Sequence, residues 1–418
     1  MLSNSLTFDP ASPPWSDIPA RAGIFALFGA DPHAEPYLSR TPNLRKRLRR
    51  LLDPRPESGQ SKRLRLAQSV ARIEYSLTGS EFEAWLLLYE ASQQAFGERA
   101  RKRLHLLRPP VFLRMAMENA YPRVYVTNRI TKSAAANLFG PFPSRNAADA
   151  FLESMLNLFE LRRCTEELHP DPAFPGCVYS EMKKCMAPCF QGCTDERYAE
   201  EASAVHAFLA TRGQSLIGQL TAQRDAASAD LDFERAAELH TRLSKVEASV
   251  AGLSQAVRPL SELNGIVVQP SGDADDRIER VKLFLLQRGS LSGPVAYSVA
   301  GMRHHNEQSG SSSLFAHPTA MEAVPLQEGG APMVQLASRD TLEARLDEAL
   351  ASLQEKTIRG ESTQQIADHL CLFTRWYYRP QNRRIGEICF FEAEGVPKRT
   401  LLRTISRVYR QGQTADAK

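Results

Sequence analysis

The chain has 418 residues, of which 43% are hydrophobic and 24% charged, and its formal net charge is +4. These values suit a folded, water-exposed protein of roughly two to four domains and exclude a low-complexity or fibrous chain. Charge so near balance leaves any anionic partner to local patches. No apolar run approaches the ~20 residues that cross a bilayer, and the opening "MLSNSLTFDPASPPW" lacks the basic and apolar regions of a signal peptide. A cytoplasmic protein without membrane contact is expected. In that compartment its seven cysteines are sooner metal ligands or buried fillers than disulfides.

Residues 1–20 are rich in Pro and Ser and read as a flexible N-terminal arm. "GIFALFG", from Gly23, is a short apolar run of the kind that forms a buried strand, with "PYLS" as its hairpin partner across "ADPHAE". "PNLRKRLRRLL" places Pro42 near a helix start and Leu44, Leu48, Leu51 and Leu52 at helical spacing. "ARIEYSLTG" predicts a strand, "SEFEAWLLLYEASQQAFGERARKRLHLL" one long helix or two, and "YPRVYVTNR" a further alternating strand. This order implies a small α/β domain over 21–130.

Residues 131–198 hold an amphipathic helix within "LFGPFPSRNAADAFLESMLNLFELRRC", followed by a cysteine cluster. Residues 199–255 read as wholly helical. Leu239, Leu243, Val246 and Val250 form one apolar stripe, and "ADLDFE" turns the chain into a two-helix hairpin. Residues 256–418 mix strand-like "RVKLFLLQRGSLSGPVAYSV" with the helical "TLEARLDEALASLQEK". The fold class expected for the whole is α/β.

Three constellations could carry chemistry. Cys164, Cys177, Cys185 and Cys189 follow C-x12-C-x7-C-x3-C, with Cys193 beyond them as a spare. Clustered thiolates are soft donors suited to zinc or an iron–sulfur cluster, and the plainer reading is small buried side chains in a loop. Between Arg40 and Leu66 stand ten cations, Arg40, Arg45, Lys46, Arg47, Arg49, Arg50, Arg55, Lys62, Arg63 and Arg65, against only Asp53 and Glu57. With Arg101, Lys102, Arg103, Arg108 and Arg114 they point to a nucleic-acid backbone, the plainer reading being a solvated helix face. Finally, Tyr37, Arg47 and one of Glu81, Glu83 and Glu90 could serve phosphodiester hydrolysis, which needs a carboxylate-held metal ion and cations facing the phosphate. The paired His304 and His305 could bind a metal or be plain surface.

Taken in order, these segments resemble the N-terminal half of UvrC, the nuclease subunit of bacterial nucleotide excision repair. "GIFALFG" and "PYLS" stand where that family's GIY-YIG nuclease domain has its signature strands, and "LFGPFPS", "FELRRC" and "CMAPC" follow in the family's order. "DLDFERAAELHTRL" looks like the UVR motif, a hairpin that pairs with UvrB. The resemblance implies a DNA endonuclease with Tyr37, Arg40, Arg47 and Glu90 as catalytic residues, Glu90 holding one Mg²⁺ or Mn²⁺. It further implies DNA contact by Arg45, Lys46, Arg49, Arg50, Lys62 and Arg63. Cys164, Cys177, Cys185 and Cys189 would carry a [4Fe–4S] cluster, with Zn²⁺ as the alternative. Phe233, Ala236, Ala237, Leu239 and Leu243 would meet a UvrB-like protein.

The departures are specific. Phe25 replaces the first signature tyrosine, Ser39 the second signature's glycine, and strict spacing from Glu83 puts Leu88 at the carboxylate position. Too few residues follow "CFFEAEG" for the family's RNase H-like and helix-hairpin-helix domains, so at most one incision is expected. The alternative implied is a catalytically degenerate DNA- and UvrB-binding accessory protein.

Overall fold

The computed structural model describes residues 2–416 apart from 32, 53–67, 105–107, 273–278, 303–336, 357–361 and 393. The fold is mixed α/β, built on three four-stranded sheets. Every pairing among the described strands is antiparallel. No described helix is long and apolar enough to cross a membrane.

The first sheet contains β1 (Asn4–Thr7), β2 (Gly23–Gly29), β3 (Tyr37–Thr41) and β4 (Val70–Leu77) in the order β1-β4-β2-β3. Alternation along a strand sends successive side chains to opposite faces. Phe25, Leu27, Ile73 and Tyr75 therefore meet helix α1 (Leu44–Leu52), whose Leu44, Leu48 and Leu52 are fully buried one turn apart. Ile24 points the other way, to helix α2 (Glu81–Phe96). The N-terminal segment is not the loose arm that its Pro and Ser content implies. β1 pairs with β4 from Asn4↔Tyr75 to Thr7↔Arg72, and Phe8 and Ile18 are buried under α1. The composition hid two apolar anchors among turn formers.

The second sheet runs β6-β5-β7-β8 over β5 (Val111–Met115), β6 (Val124–Thr127), β7 (Leu138–Phe142) and β8 (Arg258–Pro259). Helices α3 (Arg145–Leu156), α4 (Asp195–Ala210), α5 (Gln214–Ala229) and α6 (Phe233–Val250) share its core. The strand in "YPRVYVTNR" is β6, and it pairs with β5 in this sheet. The first domain thus ends ahead of Val111 rather than at residue 130, because an alternating strand does not name its partner.

The third sheet is β9 (Asn264–Pro270), β10 (Arg280–Gln287), β11 (Ser290–Ser298) and β12 (Glu387–Phe390), in the order β11-β10-β9-β12. Helices α7 (Arg339–Glu355) and α9 (Lys398–Asp416) cover one face with Leu346, Leu353, Leu401, Ile405 and Val408. Helix α8 (Thr363–Tyr377) covers the other through Leu370, Phe373 and Trp376 and meets α2 there.

Helix α2 is the hinge of this arrangement. Phe82, Ala84, Trp85, Leu86, Leu88 and Tyr89 are all buried, so it is apolar almost all round, as a helix packed on several sides must be. It lies between the first sheet and the C-terminal domain. Beside it, Gly79 and Gly272 let the two domains' backbones touch: a Cβ on either would run into the backbone of the other segment.

Candidate functional site

The β3 register separates residues that the sequence suggests should act together. Phe25 stands opposite Ser39 and Ile24 opposite Arg40, with no irregularity between. Tyr37 and Ser39 therefore share the α1 face with Phe25, while Arg40 faces α2. Tyr37 is exposed at the sheet edge, its ring 6.1 Å from that of Phe25, and Phe25 is fully buried.

On the α2 face, Arg40 Nη2 lies 3.1 Å from Glu81 Oε1, and its guanidinium lies 4.3 Å over the Trp85 ring. Arg379 Nη1 donates to Glu81 Oε2 at 2.7 Å, and Arg375 lies 4.5 Å over the same ring. The Arg379 hydrogen bond is the chief cause holding the Glu81 carboxyl down at about 2, with Trp85 and the charge of Arg40 adding to it. Arg375 and Arg379 come from α8 and just after it, and the sequence reading did not single them out. The pair of arginines flanking the aromatics in "RWYYR" was the available signal.

Glu90 does not join this group. It lies nine residues beyond Glu81, about two and a half turns on, and so on the opposite side of α2. It opens instead on a cleft of about 480 Å³ with Ser3, Ser76, Glu83, Gln94, Lys282 and Lys356. Burial pushes its carboxyl up to about 7, against the pull of Lys356. A cleft carrying two lysines suits a divalent cation poorly. Glu83, fully inside, spends its Oε2 on the Gly79 amide at 2.8 Å while Ser80 caps its own amide at 3.1 Å, which fixes the start of α2. The strictly spaced residue, Leu88, is buried on the Glu81 side of the helix.

Along α1, Lys46, Arg49 and Arg50 are exposed and Arg47 is half-buried. Arg45 is otherwise engaged: its Nε donates to the Ile18 carbonyl at 2.6 Å and its Nη2 to that of Ser16 at 3.4 Å. It ties the N-terminal segment down. Lys62, Arg63, His304 and His305 lie outside the described residues.

The cysteine region is organised by Arg162, buried among backbone groups, whose Nε donates to the Tyr121 carbonyl at 3.0 Å. Its Nη1 donates to the Glu166 carbonyl at 2.9 Å and lies 3.8 Å from Cys164 Sγ. Lys183, Ala187 and Gln191 take left-handed backbone angles that curl the chain around Cys185 and Cys189. The Ala187 amide donates to Cys185 Sγ at 3.3 Å. Burial, and then the neighbouring thiols of Cys164, Cys177 and Cys189, push the Cys185 thiol up to about 11. The four sulfurs thus share one neighbourhood of soft donors, the chemistry an iron–sulfur cluster or zinc requires. As the side chains stand, no group of three His, Cys, Asp or Glu among the described residues is already at metal-holding distance.

The hairpin of α5 and α6 turns at Leu231, which has a left-handed backbone, and the Asp232 side chain accepts the Arg235 amide at 3.1 Å to cap α6. Of its five expected contact residues, Phe233 and Ala237 are exposed, Ala236 and Leu239 half-buried, and Leu243 buried in the core that the hairpin shares with the second sheet. Leu243 is thus unavailable to a partner, since the base of the hairpin packs on the second domain. Leu231, 71% exposed beside Phe233 at 65%, was missed because it falls in the turn.

Two family models match the second domain and the hairpin, and curated relatives match more of the chain. Residues 111–208 match the family model of the UvrC/Cho excinuclease middle domain, and 214–249 match the UvrB/uvrC motif. The UvrABC system protein C of Pseudomonas syringae pv. syringae is 32% identical over 247 residues, covering 57% of this chain and 38% of that protein. The protein of that name from Carboxydothermus hydrogenoformans is 26% identical over 331 residues, covering 78% of this chain and 51% of that protein. That from Rickettsia bellii is 28% identical over 284 residues, 67% and 42%. This chain therefore spans about two fifths to half the length of the curated relatives it matches. No solved structure matches it.

Proposed function

From this UvrC-like middle domain and UVR hairpin, we propose that the chain is a DNA-binding protein of nucleotide excision repair. In this reading it docks on a UvrB-like protein through the hairpin tip and holds DNA without incising it. One observation carries the second half: on the α2 side that meets Arg40, the only carboxylate among the described residues is Glu81, and two arginines occupy it. Glu90 faces a different cleft. A nuclease needs its carboxylate free for a metal ion and its cations free for phosphate. Here the carboxylate is already held by two arginines and is not free for a metal ion.

The four clustered thiols are proposed as ligands of a [4Fe–4S] cluster, with Zn²⁺ as the alternative. The cluster would stiffen the loop that joins α3 to α4, and Arg162 would hold that loop on the second sheet. Protein purified without oxygen should be brown with visible absorption, and Cys185→Ser colourless. A colourless parent carrying stoichiometric zinc would replace the cluster with the zinc site.

A second reading is an incising endonuclease dependent on Mg²⁺ or Mn²⁺. It is favoured by Tyr37, which stays exposed on the face where α1 carries Arg47. Incubation with supercoiled and lesion-bearing DNA, with either metal and a UvrB-like protein, separates the two. Salt-sensitive binding with intact strands supports the first, and nicking lost on Arg47→Ala supports the second.

A further inference from the structure

The arginines around Trp85 outnumber what the fold needs to hold two domains together. Arg40 comes from β3, Arg375 from the end of α8, Arg379 from two residues beyond it, and Arg108, whose charge also acts on Arg375, from the segment ahead of β5. Burial is the largest cause lowering the Arg375 pKa, and the charges of Arg40, Arg379 and Arg108 lower it further. Glu81 is the one carboxylate among the described residues that opposes them there. Elsewhere on the same interface the balance is even: Asp368, buried, takes Arg101 at 3.4 Å and the Tyr89 hydroxyl at 3.4 Å.

Two guanidinium groups on Glu81 and a third stacked on Trp85 beside them leave an excess of positive charge at one place. The site is open to solvent, with the Arg40 side chain 35% and that of Arg379 31% exposed. Stacking on an indole holds a guanidinium plane in place without consuming its N–H donors. Such a fork matches a phosphate's oxygens two at a time. Lysines would give a diffuse charge; stacked arginines give a shaped one.

We propose that Arg375 and Arg379 of the C-terminal domain join Arg40 beside Trp85 to form a composite site for a backbone phosphate of DNA. Glu81 occupies the forks until that phosphate displaces it. The inference rests on the DNA-binding reading above and adds to it the C-terminal domain, to which neither the sequence nor the comparisons assign a role. It makes the DNA path run from the exposed cations of α1 across the β3 edge to the end of α8.

The test uses the full chain and a fluorescent DNA duplex, with affinity measured over a range of salt. Each phosphate contact contributes about 0.9 to the slope of log K against log salt. The double variant Arg375→Gln/Arg379→Gln should lower that slope by about one. Glu81→Gln should bind several-fold more tightly than the parent, because it frees two forks, and a misfolded protein cannot produce that gain. A double variant with the parent's slope, or Glu81→Gln binding no more tightly, overturns the proposal. A parent whose DNA affinity ignores salt overturns instead the DNA-binding reading beneath it.

Discussion

Single side chains set what the first domain can do. Glu90 illustrates the cost of a carboxylate partly buried at the wall of a cleft. Its folded carboxyl titrates at about 7 against an ordinary value of 4.5. Between those values the folded state holds a proton that the unfolded chain has released, so stability falls as pH rises through that window. Glu90→Gln removes the penalty. Its melting temperature should exceed the parent's above about pH 7 and converge with it below the ordinary carboxylate range, as thermal scans at stepped pH will show. Equal melting temperatures throughout would mean that Glu90 is hydrated. Which carboxylate meets Arg40 could not be read from "SEFEAWLLLYE", because the helix is apolar on both sides and its period gives no preferred face. The Arg375 and Arg379 contacts depend on a chain return of almost 300 residues, which no local pattern encodes.

At the level of elements, short apolar runs and helical spacing served well for the first domain. The strand "GIFALFG" follows from its apolar run, "PYLS" from its place across a short turn, and the leucine stripe of α1 from its spacing. Such signals failed where pairing partners decide, as for β6, and where sparse anchors such as Phe8 and Ile18 sit among turn formers. The hairpin shows the same division. Its "ADLDFE" turn was legible, yet its stripe is shared between a buried base and an open tip. Leu243→Ala should therefore destabilise the protein by about 2–5 kcal/mol, as expected of a buried leucine. Leu231→Ser/Phe233→Ser should leave the melting temperature unchanged while abolishing capture of a UvrB-like protein in a pull-down. Retained capture would move the partner surface away from the tip.

Across the whole molecule, α2 couples the sheet that carries the basic helix to the C-terminal domain. Two fastenings hold α8 against it, Asp368 with Tyr89 and Arg101, and Glu81 with Arg379. The Gly79–Gly272 contact lets the backbones approach that closely. Gly79→Ala should push the domains apart, lower the melting temperature and weaken DNA binding together, measured by calorimetry and anisotropy on one preparation. Loss of stability with unchanged DNA affinity would confine DNA contact to the first domain. The composition, with its net charge of +4, hid this surface because the cations come from three separate parts of the chain.

The central claim is that this chain holds DNA without cutting it, since the carboxylate beside its arginines is held by them and is not free for a metal ion. A single-turnover incision assay tests it most directly, on end-labelled lesion-bearing duplex with Mg²⁺ or Mn²⁺, a UvrB-like protein and saturating chain. The account expects a retarded complex whose strands stay intact over hours, for the parent and for Arg47→Ala alike. A discrete nick near the lesion that appears with the parent and vanishes with Arg47→Ala or Glu90→Ala would contradict it.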